Sequence, residues 1–273
     1  MENMYDFNYA TKKMRQFFQE EKGFNEVPAQ SRQSILAACE DPATISQYIF
    51  SGINWPLPQT GQMWLERDLL DNPDVKGVFC VTTSYRNEPN PVEGRHDKVF
   101  PMFEFESHGS IEDMIKLETE LLSHLGFGEV HKVITYNEAC KHYDVELLDY
   151  DEEELLCSQY TPCVFLKDFP LRTHPFWNMK HAGNGIYNKV DVIMHGMETI
   201  GSAERATDVT EMREQFHNIS DGEYAQLLFN HFGRKRVEDE LEGYLALPMF
   251  ERFGGGIGVT RMVSAMKAEG ILQ

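Results

Sequence analysis

Three groups of residues in this chain have side chains suited to chemistry on a phosphorylated ligand. The first is Arg86, Asn87 and Glu88, followed across a loop by Arg95, His96 and Phe100. An arginine at a strand end presents a planar fork of donors that matches a phosphate. A nearby aromatic ring gives a purine a face to stack on, and a carboxylate can accept from its amino group. The second group is Asp191 and Glu198, seven positions apart, followed by Arg205. That spacing suits a strand–turn–strand path bringing both carboxylates to one divalent ion, and Mg2+ shared with phosphate oxygens needs only one or two of them. Arg205 has the chemistry to bind a substrate carboxylate. The third is Gly254-Gly255-Gly256-Ile257-Gly258-Val259-Thr260-Arg261. Its spacing is GxGxG then xxR, not the GxGxxG of a dinucleotide fold, and the lysine of a phosphate-binding P-loop is absent. Taken singly, each group has a plainer reading: a charged surface hairpin, solvated acidic positions in an acidic chain, and a tight strand–helix junction.

These groups need elements to hold them. Residues 77–86 and 99–107 are rich in β-branched and aromatic residues and read as two strands, with 87–98 as a long hairpin loop between them. Ser110 caps a helix over Ile111–Leu125, with Asp113 in the capping-box position and Gly126 as the stop. Residues 9–21 read as the first helix, ending before Gly23. Residues 176–179 and 190–194 read as further strands, 222–245 as mostly helical, and 253–258 as a glycine-rich strand running into a helix that stops at Gly270. The predicted fold class is α+β, a largely antiparallel sheet flanked by helices in a single domain over residues 1–273.

Composition narrows the classes. Hydrophobic residues make up 41% and charged residues 25% of 273, the balance of an ordinary globule. No apolar run approaches the ~20 residues that span a bilayer, and the N-terminus lacks the apolar stretch of a secretory signal, so no membrane partner is expected. Five scattered cysteines (Cys39, Cys80, Cys140, Cys157 and Cys163) make no CxxC pair, which fits a reducing cytoplasm. Lysine and arginine total 25 against 44 acidic residues, a net charge of −19. Nucleic-acid backbones are normally met by a basic face.

The three groups, in this order, resemble the motifs of class II aminoacyl-tRNA synthetases of the asparaginyl, aspartyl and lysyl subgroup. MRQFFQEEKGFNEV is similar to the first motif, SYRNEPNPVEGRHDKVFPMFEFE to the second, and residues 254–261 to the third, GxGxGxxR. Between them, LPQTGQMWLE, ITYNEA, HPFWNMK and the series from Asp191 to Arg205 look like segments of the asparaginyl and aspartyl enzymes. The resemblance implies ATP and Mg2+ as cofactors. It places Arg86 and Arg261 on the phosphates as the catalytic pair, Glu88, His96, Phe100 and Gly258 on ATP, and Asp191 and Glu198 on the metal. It places Gln62 and Glu104 on the amino acid's ammonium group, Thr60 among the substrate-binding residues, Arg205 at the side-chain end, and Glu40 on a loop closing over the pocket. Three positions depart from the pattern: Pro28 stands two positions before the usual proline, Val99 replaces a glutamate, and Leu65 stands where aspartyl enzymes have a lysine.

By this resemblance the chain is an AMP-forming ligase and a homodimer. It activates aspartate or a related amino acid as an adenylate. The first motif begins at about residue 9, which leaves no room ahead of it for an OB-fold anticodon-binding domain. Together with the acidic charge, that predicts an acceptor other than tRNA: ammonia or a small amine, as in stand-alone asparagine synthetases related to asparaginyl-tRNA synthetase. The alternatives are a ligase charging a tRNA, a protein or a pathway intermediate, and a binding module that lost the chemistry. Retention of Arg86, Glu88, Asp191, Glu198 and Arg261 argues against the last.

Overall fold

A computed structural model describes residues 3–29, 32–38, 44–128 and 131–272. In chain order its elements are α1 (Met4–Arg15), prolonged by π-turns over Gln16–Glu21, β1 (Asn25–Glu26), β2 (Gln47–Phe50), β3 (Ile53–Pro56), α2 (Gln62–Asp71), β4 (Gly77–Tyr85), β5 (Val99–His108) and α3 (Ile111–Leu125). There follow β6 (Lys132–Thr135), α4 (Tyr136–Tyr143), α5 (Tyr150–Gln159), β7 (Cys163–Pro170), β8 (His181–Gly183), β9 (Ile186–Met194) and β10 (Met197–Glu204). The chain closes with α6 (Val209–Asn218), α7 (Glu223–Phe232), α8 (Arg234–Leu245), β11 (Arg252–Gly258) and α9 (Val259–Ala268).

One sheet organises the molecule, in the order β1-β4-β5-β11-β10-β9-β7-β6, with β8 paired to β9. Pairing is antiparallel through its middle. Among the described residues, parallel pairing occurs at the two edges, β1 with β4 and β6 with β7. The α+β reading with a largely antiparallel sheet and flanking helices matches this architecture.

Alternation decides which residues reach which face. On β5, Phe103 and Phe105 turn into a core shared with α1, α3 and α9, and so do Phe253 and Ile257 of β11 and Ile200 of β10. The intervening positions, Glu104 and Glu106 on β5, Gly254 and Gly256 on β11, and Gly201 on β10, therefore take the opposite face. A second core of α6, α7 and α8 with Trp177 stands beside that face. The polar face of the sheet is thus walled by helices on one side and bridged by the β4–β5 loop on the other.

Some expected elements change. The first helix starts at Met4, where Asn3 accepts from the Tyr5 amide as its cap; the early polar turn hid it from an apolar-periodicity reading. Residues 176–179 form no strand. They make a turn with a single bridge, Met179 to Arg205, because Phe176 and Trp177 leave the sheet to pack in the helical core. The helix over 222–245 is two, broken at Gly233, whose φ of 85° a helix interior does not allow. The helix at Ile111–Leu125 has the anticipated bounds, its Ser110–Asp113 capping box and its stop at Gly126, φ 102°.

Candidate functional site

The polar face of the sheet floors a cavity of about 690 Å³. Arg86, Glu88, His96, Phe100, Thr60, Gln62, Glu104, Glu198, Arg205, Gly258 and Arg261 all line it. Asp191 does not line it. Its carboxyl sits behind Glu198, 6% exposed. Glu40 lies outside the described residues.

At one end the guanidinium groups gather. Arg86 lies over the Phe100 ring, 5.7 Å from its centroid, a cation–π pair at the strand end. Arg261, in the first turn of α9, donates to the Glu198 carbonyl at 2.6 Å and to the Arg95 carbonyl at 3.1 Å. It thereby ties the β4–β5 loop to β10. His96 meets Glu88 at 3.0 Å and the Tyr150 hydroxyl at 3.2 Å. Arg95, which belongs to the motif but was given no role from sequence, pairs with Glu153 at 2.6 Å and lies over the Tyr150 ring at 4.4 Å. Tyr150 and Glu153 come from α5, more than fifty positions away from Arg95. The capping box at Asp149–Glu152 marks where that helix begins, but nothing in its spelling marks its neighbour.

At the middle of the floor the two acidic residues converge. A Cβ added to Gly201 would lie 2.9 Å from Glu198 Oε1 and 3.6 Å from Asp191 Oδ1. Only a residue without a side chain leaves both carboxylates room there. Lys189 holds Asp191 Oδ2 at 2.7 Å, while the buried Oδ1 has no hydrogen-bond partner among the described residues. Burial, and then the neighbouring Glu198, push the Asp191 carboxyl up to about 8. Crowded oxygen ligands with an orphaned lone pair fit a hard divalent cation, which would relieve their repulsion.

At the other end the polar groups are fully buried. Arg205 donates to Glu106 at 3.2 Å and to Gln62 Oε1 at 2.9 Å, and stands 3.6 Å from Glu66. Glu66 also accepts from Arg252 at 2.6 Å, from Asn178 at 2.7 Å and from the Tyr244 hydroxyl. Arg252, Glu66 and Glu106 are 0% exposed. Two arginines and two glutamates thus form one buried cluster. Burial works against the Glu66 carboxylate, but Arg205 and Arg252 hold its pKa below the ordinary value. Burial wins at Glu106, pushing it up to about 7 against the pull of Arg205. Of the two glutamates, Glu106 is therefore the one that takes up a proton more readily. Glu106 requires Gly254, since a Cβ there would lie 1.7 Å from its carboxylate oxygen.

Gln62 and Glu104, like Arg205, are engaged by the protein itself. The Gln62 amide donates to the Gly255 carbonyl at 2.7 Å while its oxygen holds Arg205. Glu104 accepts from the Gly61 amide at 2.8 Å and from the Thr60 and Thr82 hydroxyls. Glu66, Glu106 and Arg252 went unread as a cluster, although alternation from Glu104 already put Glu106 on the cavity face.

The family model for class II tRNA synthetases (D, K and N) matches residues 1–270. No curated protein matches the chain. Among solved structures, asparaginyl-tRNA synthetase from Pyrococcus horikoshii complexed with asparaginyl-adenylate superposes with a TM-score of 0.77 at 20% identity, covering 96% of this chain and 64% of that one. The Entamoeba histolytica asparaginyl-tRNA synthetase in complex with asparaginyl-adenylate gives 0.73 at 17% identity, covering 97% and 64%. The aspartyl-tRNA synthetase of the same organism gives 0.69 at 18%, covering 96% and 54%. The chain spans less than two thirds of these neighbours' length, and at such identities the likeness is one of fold. Among the described residues, no helix is long and apolar enough to cross a membrane.

Proposed function

This chain belongs to the class II tRNA synthetases of the D, K and N group, and from that premise we propose that it activates an amino acid of the aspartate–asparagine type with ATP. The observation that carries the reading is one cavity lined by Arg86 and Arg261 at one end, by Glu198 with Asp191 close behind it, and by Arg205, which its buried partners hold in place. In the reaction an oxygen of the amino acid's α-carboxylate attacks the α-phosphorus. The bond to the β-phosphate oxygen breaks and pyrophosphate leaves. The protein's part is positioning and charge stabilisation. Arg86, supported by Phe100, and Arg261, held by the Arg95 and Glu198 carbonyls, meet the phosphates with preset guanidinium groups. Asp191 and Glu198 would hold Mg2+, which when bound supplies neutralising charge to the phosphates. Arg205 faces the side-chain end of the amino acid, with Thr60, Gln62 and Glu104 beside it.

The acyl group then passes to ammonia or a small amine, whose nitrogen attacks the acyl carbon as AMP leaves and a proton is lost. The net charge of −19 supports a small acceptor over a polyanionic one. A homodimer acting in the cytoplasm completes the reading.

One observation favours a second reading. The charge of Arg205 is already matched by Glu66 and Glu106. A neutral carboxamide could accept from Arg205 and donate to Glu106 without adding a buried charge. Asparagine would then be activated, and the acceptor would be a tRNA, a protein or a pathway intermediate. ATP–pyrophosphate exchange with each of the twenty amino acids, followed by mass spectrometry with and without ammonium, separates the two. Exchange with aspartate and ammonium-dependent asparagine support the first. Exchange with asparagine alone supports the second, and no exchange at all sinks both.

A further inference from the structure

Helix α5 reaches the guanidinium-rich end of the cavity through its first turn, and the two of its residues that engage Arg95 most closely differ in charge. The Tyr150 ring lies 4.4 Å from the Arg95 guanidinium and meets the His96 ring edge-on at 5.5 Å. Its hydroxyl reaches His96 Nε2 at 3.2 Å. Glu153 accepts from Arg95 Nη2 at 2.6 Å, while Arg95 Nη1 donates to the Gly196 carbonyl at 3.1 Å. Arg95 Nε is buried and has no partner among the described residues. One face of this guanidinium is therefore supported by a neutral ring, and one edge of its fork is occupied by a carboxylate.

We propose that Tyr150 and Glu153 are positioning residues with opposite effects on the nucleotide: Tyr150 holds Arg95 in place in the cavity, and Glu153 occupies the edge of Arg95 that a phosphate would take. The inference rests on the reading of this end as the ATP site. A phosphate and a carboxylate are rival acceptors for the same planar fork. Glu153 is a poorly settled rival, because it is largely buried and lies close enough to Glu198 to feel its charge. An arriving triphosphate would strengthen that repulsion and displace it. Arg95 then needs a support that does not leave with the carboxylate. The Tyr150 ring supplies it, stacking on a side chain that would otherwise lose rotamer freedom on binding.

The test is direct ATP binding by calorimetry on the full chain, at fixed Mg2+, with the amino-acid KM and the melting temperature as controls. Glu153→Gln keeps a hydrogen-bond acceptor and loses the charge; its Kd for ATP should fall by about threefold to tenfold. Tyr150→Ala should raise it about tenfold. Tyr150→Phe keeps the ring over Arg95 and should stay within about threefold of wild type, which preserves the test if the alanine variant folds poorly. Amino-acid KM should stay unchanged in all three. A loosened helix would weaken binding in every variant, so weaker ATP binding in Glu153→Gln overturns the proposal. So does unchanged affinity in both Glu153→Gln and Tyr150→Ala. A raised Mg2+ requirement in Glu153→Gln would assign that carboxylate to the cation and overturn it as well. Failure of the wild-type chain to bind ATP is a separate result, and it takes down the adenylation reading itself.

Discussion

The two ends of the cavity are built on opposite principles. The nucleotide end hangs on a loop. Arg95 and His96 sit between the prolines of the β4–β5 connection and β5 itself, and their partners Glu88 and Glu153 are partly exposed. The amino-acid end is set into the sheet and α2, where Glu66, Glu106 and Arg252 are 0% exposed, with Glu66 accepting from Arg252 and Glu106 from Arg205. Ion pairs at a wet loop contribute little and exchange readily. A buried pair costs several kcal/mol if half of it is removed. On the proposed reading the difference divides the work: contacts with a large, charged nucleotide fall to groups that can trade partners, and discrimination of a small side chain falls to groups that cannot.

The comparison breaks most visibly at Glu66. Glu66→Ala strips Arg252, Asn178 and Tyr244 of their common acceptor and leaves Arg252 charged and buried. It should cost about 3–5 kcal/mol of folding stability, read by denaturant unfolding. A loss below about 1 kcal/mol would show that water or a rearranged Glu106 serves Arg252, and that the buried end is as adaptable as the loop. At the other end, Arg261→Ala should leave the fold intact and lower the rate of pyrophosphate exchange about 10²- to 10³-fold. Near-wild-type exchange in that variant would remove Arg261 from the phosphates. It would leave only its bridge between the Glu198 and Arg95 carbonyls.

How much of this contrast the sequence carried follows from the range of the interactions. The capped helix Ile111–Leu125 and the strand pair β4 and β5 are local matters of capping chemistry and alternation, and both were legible. Turns were legible in principle too: His195-Gly196 and Ser51-Gly52 take the successive left-handed φ values (49° and 78°, 51° and 77°) of tight hairpin turns, yet neither pair spells a strong turn signal. Residues 176–179 read as a strand because their aromatic run is the same whether it packs in a sheet or between helices. At the site, Arg86, Glu198, Arg205 and Arg261 were found by motif. Glu66 and Arg252 were not, because a buried ion cluster has no sequence spacing: its members come from α2, β5, the residue after β10, and β11, and meet only once the sheet is ordered. Tyr150 and Glu153 escaped for the same reason.

The gentlest probe of the comparison is pH, read through one buried carboxyl of the amino-acid end. Glu106 is pushed up to about 7 by burial, above the ordinary glutamate value, so between roughly pH 4.5 and 7 the folded protein binds a proton that the unfolded chain has released. Its contribution to stability is therefore full at low pH and is lost as pH rises through about 7. Substrate binding takes the same sign. Aspartate would bring a second negative charge to Arg205 and favour protonated Glu106, so its KM in exchange should rise above pH 7 by at most about tenfold per unit. Asparagine brings no charge, and its KM should stay flat across the same range. Glu106→Gln should abolish the slope for aspartate while leaving the KM for ATP as it was. A slope that survives in Glu106→Gln would place the titrating group elsewhere, and a slope shared equally by aspartate and asparagine would mean that the proton is taken up at the nucleotide end. In that case the buried cluster is not the part of the cavity that tells a carboxylate from its amide.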